Sequence, residues 1–299
     1  MITNLSIGKH GRLGNQFFQY AILKSISLKK NYEIVLPDFS DSFHGQTFLL
    51  KKFSLSCKYS KDIKIKYSIC ESTPNTFRED FLEINDQTSI EGYFQNLKYF
   101  DDIREVLIDE FRPNDNYQKK SQEVLKNRRV QGVKLIGIHI RRGDLFKIGF
   151  TYDILRTIFT RTYGYKIYGS RHYYNKNTIF GKYFESVKNY YKNQEVKFLV
   201  FSGGSRQNKN SIDKKWIDQV FKGLNYEILA SEDPILDFEI MKNCDSNVLS
   251  FGSSYGWWAA YLNTQNIDKI IAPKNYFFDL VPNPIREMEN LFNDKFFLL

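Results

Sequence analysis

KLIGIHIRRGD, residues Lys134–Asp144, is the stretch on which the reading of the fold turns. Its first seven residues, Lys134–Ile140, are a continuous apolar run, the pattern of a strand buried on both faces in the middle of a parallel sheet. Its remainder places His139, Arg141 and Arg142 at the carboxyl end of that strand, where open α/β sheets bind their ligands. Side chains alternate along an extended strand, so Arg141 shares a side with His139 and Arg142 does not. A guanidinium is a planar fork matched to phosphate. The alternative is a structural ion pair, for instance Arg142 with Asp144.

Outward from this strand, strand and helix signals alternate in both directions. Before it, residues 2–7 read as a short buried strand. Asn15–Lys30 reads as a helix with Asn15 as its N-cap, because Phe18, Ala21, Ile22, Ser25 and Ile26 recur on one face. Strands are expected at 32–36 and 89–94, and a helix at 97–111. The stretch 38–88 mixes short apolar runs with polar turns, and 113–133 reads as a polar, basic linker. After the central strand, helices are expected at 180–193, 214–222, 234–243 and 255–263, and strands at 196–202, 226–229, 248–251 and 269–272. The tail, 285–299, carries Ile285, Met288, Leu291 and Phe292 at helical spacing. Residues 145–175 are Tyr- and Arg-rich and long for a connection, which suggests a lid or binding loop. The alternation predicts an α/β protein of two doubly wound domains, 1–130 and 131–299, with the C-terminal helix packing back on the N-terminal domain.

Composition narrows the function. With 42% hydrophobic and 26% charged residues, the 299-residue chain is neither disordered nor of low complexity. It carries a net charge of +9 and is rich in aromatics, with 20 Tyr, 26 Phe and 3 Trp. Such a chain should meet something anionic: nucleic acid, a phosphorylated small molecule or a membrane surface. The basic residues are spread along the chain with no RNP, KH or helix-turn-helix pattern, so nucleic acid is the weakest of the three. No apolar segment of signal-peptide length opens the chain, and no window reaches the roughly 18–20 consecutive apolar residues of a membrane span. Cys57, Cys70 and Cys244 are odd in number and scattered, which fits a reducing cytoplasm rather than a disulfide framework. His10, His44, His139 and His172 lack metal-ligand spacing, and no GxSxG is present. Asp101 and Asp102 read as the solvated face of a helix.

Three further motifs fall just after predicted strands. GRLGNQ, Gly11–Gln16, is neither a dinucleotide fingerprint nor a P-loop. Its glycines let backbone approach a ligand at a helix N-terminus, or they simply make a tight turn. SSYGWW, Ser253–Trp258, offers hydroxyls and N–H groups to phosphate at a helix start, or is an N-cap followed by a packed aromatic pair. FSGGS, Phe201–Ser205, either brings backbone to a ligand or opens a flexible loop.

Six stretches, GRLGNQFFQYA (Gly11–Ala21), EGYFQNLKYF (Glu91–Phe100), HIRRGD (His139–Asp144), DFEIMKNCD (Asp237–Asp245), SSYGWWAAYL (Ser253–Leu262) and IIAPKNYF (Ile270–Phe277), stand in the order seen in glycosyltransferase family 11. The chain resembles that α-1,2-fucosyltransferase family from about residue 8 to about residue 278. The resemblance implies a GT-B fold, two Rossmann-like domains facing a central cleft. It also implies an inverting transfer of fucose from GDP-fucose to a glycan hydroxyl, O2 of galactose, in surface polysaccharide synthesis. No cofactor or metal is expected. The protein would be cytoplasmic, with peripheral contact to an anionic inner-membrane surface.

Carried over residue by residue, Arg141 would hold the β-phosphate, His139 would lie near the nucleotide, and Ser253 and Ser254 would bind phosphate oxygens. Ser202 and Tyr255 join them on the donor side. Arg12, Gly14, Asn15, Gln16 and Gln95 would approach the sugar or acceptor. Arg141 is the electrostatic catalyst, and Asp144 and Glu91 are the candidate bases by position. The family's acidic pair after FS is replaced here by Gly203 and Gly204, and its Phe-Ser by Tyr255 and Gly256. A different nucleotide sugar on the same fold is the nearest alternative, and a nucleic-acid-binding protein the alternative of another class.

Overall fold

The computed structural model describes residues 1–9, 11–38, 48–72, 76–140, 179–202, 217–229, 233–274 and 288–299; of residues 179–180 and 288–289 only the backbone is considered. Arg141, Asp144, Gly203, Gly204, His10, His44, His172 and the 145–175 interval lie outside these residues. The chain forms two compact units, Met1–Gln118 with Asn283–Asp294, and Lys119–Pro282 with Lys295–Leu299.

The first unit runs β1 (Ile2–Thr3), α1 (Leu13–Lys30), β2 (Val35–Pro37), β3 (Lys58–Ser60), β4 (Tyr67–Cys70), β5 (Thr88–Glu91) and α2 (Arg104–Glu110). All its strand pairings are parallel: β1 with β5, β5 with β4, and β2 with β3. A parallel bridge between Ile2 and Ile34 brings the β2–β3 pair alongside β1. The resulting order is β3-β2-β1-β5-β4, with β1 and β5 paired near its middle.

Aromatic side chains fill this unit. Phe17 of α1 packs against Phe53 and Phe111, with ring centroids 5.0 and 4.3 Å apart. Phe81, Phe94 and Tyr99 form a second cluster, each fully buried. Much of the aromatic surplus is therefore core.

One charged network is buried with it. Lys24 of α1 pairs with Glu110 of α2 at 2.7 Å, and Glu110 accepts the Tyr20 hydroxyl at 2.6 Å and the Ser56 N–H at 2.7 Å. Burial disfavours the Glu110 charge, but bonds from Lys24, Ser56 and Tyr20 outweigh it and hold the carboxyl below its usual range. Burial, then the neighbouring Glu110 charge, pushes the Tyr20 phenol far up.

The stretch 113–133, expected to be a linker, is largely helical: α3 spans Asp115–Lys126. It looks polar because only Ser121 and Leu125 are fully buried.

The second unit contains β6 (Lys134–His139), α4 (Ile179–Tyr191), β7 (Val196–Phe201), β8 (Tyr226–Leu229), α5 (Pro234–Lys242), β9 (Ser246–Val248), α6 (Ser254–Tyr261), β10 (Ile270–Ala272) and β11 (Phe296–Leu298). These six strands are parallel, in the order β11-β10-β9-β6-β7-β8. From β6 the chain moves out to β7 and β8, returns to the other side of β6, and moves out through β9, β10 and β11. That is the order of the doubly wound dinucleotide-binding fold, with its switch point between β6 and β9. β6 is the central strand its apolar run implies: Leu135, Ile136 and Ile138 are all inaccessible to solvent.

The tail departs from its helical spacing. Its described part is a 3₁₀ turn, Met288–Leu291, followed by the edge strand β11. Pairing with β10 sets that strand, which nothing local announces. Likewise Asp101 and Asp102 sit in a 3₁₀ turn rather than a helix; both are exposed, and Asp102 pairs with Lys29 at 3.3 Å.

Candidate functional site

In the second unit, three of the residues expected on the donor side, His139, Ser253 and Tyr255, meet where β6 adjoins β9. His139 is the last residue of β6. The loop after β9 brings Ser253 to it, with Oγ 2.6 Å from Nδ1. Ser253 also caps α6, accepting the Gly256 N–H at 3.0 Å. With one lone pair so occupied, Ser253 is able to give its hydroxyl proton to Nδ1. Ser250, a residue the motifs did not single out, donates its hydroxyl to the His139 carbonyl and ties the same loop to β6.

Helix α6 approaches β6 closely. A Cβ on Gly256 would lie 3.1 Å from both the His139 Cβ and the Ser253 Oγ, so glycine is the residue that fits. Tyr255 packs edge-on against the imidazole, centroids 4.9 Å apart at 61°, and its hydroxyl donates to the Pro234 carbonyl at the start of α5. Burial, then the charges of Asp237 and Asp233, keeps this phenol well above its ordinary pKa, so it remains a protonated donor. Trp257 and Trp258 are a buried perpendicular pair at 5.0 Å. Ser253 is thus an N-cap ahead of packed aromatics, and its hydroxyl also meets His139. Ser254 and Ser202 are half-buried, at the first position of α6 and just after β7. The site thus presents an imidazole, hydroxyls and the positive end of a helix, a set suited to phosphate oxygens.

In the first unit, β1 and β5 are paired, and the residues expected to meet sugar lie in the segments that follow these two strands. Helix α1 starts at Leu13 with Arg12, not Asn15, in the N-cap position, and Arg12 makes no side-chain cap. Asn15 therefore points its amide elsewhere: its Oδ1 accepts the Gln95 Nε2 at 3.0 Å. Gly14 and Gln16 are buried in the first turns, and neither polar atom of the Gln16 amide is hydrogen-bonded. Glu91 ends β5, half-buried. One turn further along α1, Gln19 donates to the Gly92 carbonyl at 3.0 Å.

The turn after β5 is unusual. Phe94 has a φ of +53°, the left-handed region, which costs a bulky residue roughly 1–2 kcal/mol. Its N–H and that of Tyr93 go to one oxygen of Glu71, at 3.2 and 2.7 Å. Gly92 is forced as well, because a Cβ there would fall 2.5 Å from the Glu71 Cβ. Glu71 stands in no motif, and only the fold reveals it. Among the described residues no group of three His, Cys, Asp or Glu is placed to hold a metal ion, and no helix is long and apolar enough to cross a membrane.

The model of glycosyl transferase family 11 matches residues 174–280. The O-antigen biosynthesis glycosyltransferase WbnK of Escherichia coli is 24% identical, over 89% of this chain and 93% of its own length. The galactoside alpha-(1,2)-fucosyltransferase 2 of Oryctolagus cuniculus is 23% identical, over 86% of this chain and 66% of its own. The chain thus spans about two thirds of the length of that mammalian relative. Among solved structures, POFUT1 in complex with GDP aligns with a TM-score of 0.49 at 12% identity, over 87% of this chain and 93% of its own. NodZ alpha-1,6-fucosyltransferase soaked with GDP-fucose aligns at 0.45 and 12%, over 88% of this chain and 91% of its own. The protein is a glycosyltransferase. The match to glycosyl transferase family 11 lies within the second unit, and the relatives are similar over most of this chain.

Proposed function

We propose that the protein transfers fucose from GDP-fucose, with inversion, to O2 of a galactose in a surface-glycan acceptor. On this reading the fold is of GT-B type, the second unit takes the donor and the first the acceptor. The observation that carries it is the meeting of His139 with Ser253 and Tyr255 at the switch point of the Rossmann-ordered sheet. The names of the fucosyltransferase relatives support the donor and the linkage.

Departure of GDP places charge on the β-phosphate. Arg141, two residues beyond His139, and the α6 N-terminus supply positive charge there, so no metal is required. Ser254 and Ser202 complete the phosphate surroundings. Arg12, Gly14, Asn15, Gln16 and Gln95 bind sugar. Glu91 or Asp144 takes the proton of the acceptor hydroxyl, and a loose, oxocarbenium-like transition state asks little of that base. The acceptors of such enzymes are built at membranes, and part of the +9 charge serves peripheral contact with an anionic lipid surface.

Calorimetry tests the donor half. GDP is expected to bind, and to bind more tightly than UDP, ADP or CMP, in the presence of EDTA as in its absence. Arg141→Ala should remove most of that binding with the fold intact, and lysine should restore little because it lacks the fork. Tighter binding of another nucleotide would replace the donor.

A further inference from the structure

We infer that Glu71 is a positioning residue of the transfer reaction, acting through the turn Glu91–Gln95. This rests on the reading of the first unit as the acceptor side. The turn is held in a conformation it would not choose: Phe94 is left-handed, and Gly92 leaves no room for a side chain against Glu71. Strain of this kind persists only where the surroundings over-determine it, and it gathers at functional sites.

The surroundings are specific. One carboxylate oxygen of Glu71 accepts two consecutive N–H groups, of Tyr93 and Phe94. Glu71 also extends the ladder, its own N–H donating to the Glu91 carbonyl at 2.7 Å. Gln19 fixes the Gly92 carbonyl from α1. The Phe94 ring is locked edge-on between Phe81 and Tyr99, at 5.1 and 5.9 Å.

What this apparatus presents is a short list. Glu91 precedes the turn and Gln95 closes it, with the Gln95 amide on Asn15 of the GRLGNQ motif. The Tyr93 ring stands between them in sequence and is exposed at 38%. A carboxylate, a paired amide and an open aromatic ring are the groups with which a protein holds a pyranose: polar contacts to hydroxyls and a flat face for C–H. Glu71 touches none of the substrate. It sets where these three groups stand, and hence how the acceptor lies.

Kinetics of Glu71→Ala and Glu71→Gln beside the wild type, with GDP binding and thermal unfolding measured on each, test this. In the alanine variant the acceptor KM is expected to rise and kcat to fall, so that kcat/KM for acceptor drops about ten- to hundredfold, as displaced substrate positioning does. GDP affinity should stay within about twofold, since the donor groups lie on the other unit. The glutamine variant keeps an acceptor oxygen and should recover much of the loss. If the alanine variant does not fold, the glutamine variant carries the same comparison, with a smaller rise in acceptor KM at unchanged GDP affinity. Unchanged acceptor kinetics, or a parallel loss of GDP affinity and folded protein, overturns the role of Glu71. Failure of the wild type to transfer at all overturns the acceptor reading itself, and Glu71 with it.

Discussion

Ser253 serves two structures with one oxygen, capping α6 and binding Nδ1 of His139. Ser253→Ala should therefore be felt twice. Loss of the cap costs about 1 kcal/mol of stability, readable in denaturant unfolding. Loss of the imidazole's partner frees the ring to turn, and GDP affinity should fall about tenfold, as loss of one net hydrogen bond to a charged ligand would imply. An unchanged GDP affinity would show that His139 needs no orientation. His139 and Ser253 were legible as sequence because each follows a strand signal and belongs to a short polar motif. Ser250, Gln19 and Glu71 were not. Each acts on a backbone group distant in sequence, and such a bond leaves no periodicity to read. Asn15 shows the opposite error: a good N-cap residue by type, it lost that position to Arg12 because the helix starts two residues earlier.

At the scale of elements, the buried network joining α1 to α2 gives a dependence on pH. The folded pKa of Glu110 lies below its unfolded value, because its bonds from Lys24, Ser56 and Tyr20 outweigh the burial of its charge. Its contribution is fully present above the unfolded carboxylate pKa of about 4.3 and is lost as pH falls through the folded value. Glu110→Gln should be less stable than wild type near neutrality, and the gap should narrow as pH is lowered toward about 3. A gap that stays constant with pH would mean that the charge on Glu110 contributes nothing. The strongly patterned elements were readable: β6, β7 and α1 lie within a residue or two of their expected ranges, as do the short β8 and β10. The short strands β3 and β4 of the first unit were not. β3 and β4 have three and four residues at partly exposed positions, too few for alternation to register. β11 was taken for helix because four apolar residues before it happen to fall at helical spacing.

For the whole molecule, the two parallel sheets explain why the motifs fall where they do. In the second unit the chain reverses direction between β6 and β9, whose following segments carry motifs; in the first, the motif-bearing segments after β1 and β5 are neighbours because those strands pair. Strand pairing brings the GRLGNQ segment beside the turn after β5, and the end of β6 beside the SSYGWW segment, neighbours that sequence order alone could only suggest. The aromatic surplus has a structural explanation in the cores of both units, and the charge surplus does not. If the charge serves an anionic membrane, the protein should co-sediment with vesicles containing anionic lipid and not with neutral ones. That binding should weaken steeply above about 0.15 M salt, where screening lengths fall below about 8 Å. Equal recovery with both kinds of vesicle would remove membrane contact as its purpose.

The most direct measurement is transfer itself. The protein is incubated with GDP-fucose and a panel of galactose-terminated acceptors, and the linkage of any product is determined. A fucose joined α-1,2 to galactose, formed with EDTA present, is the expected result. No transfer and no donor hydrolysis across the panel, or transfer only from another nucleotide sugar, would contradict it.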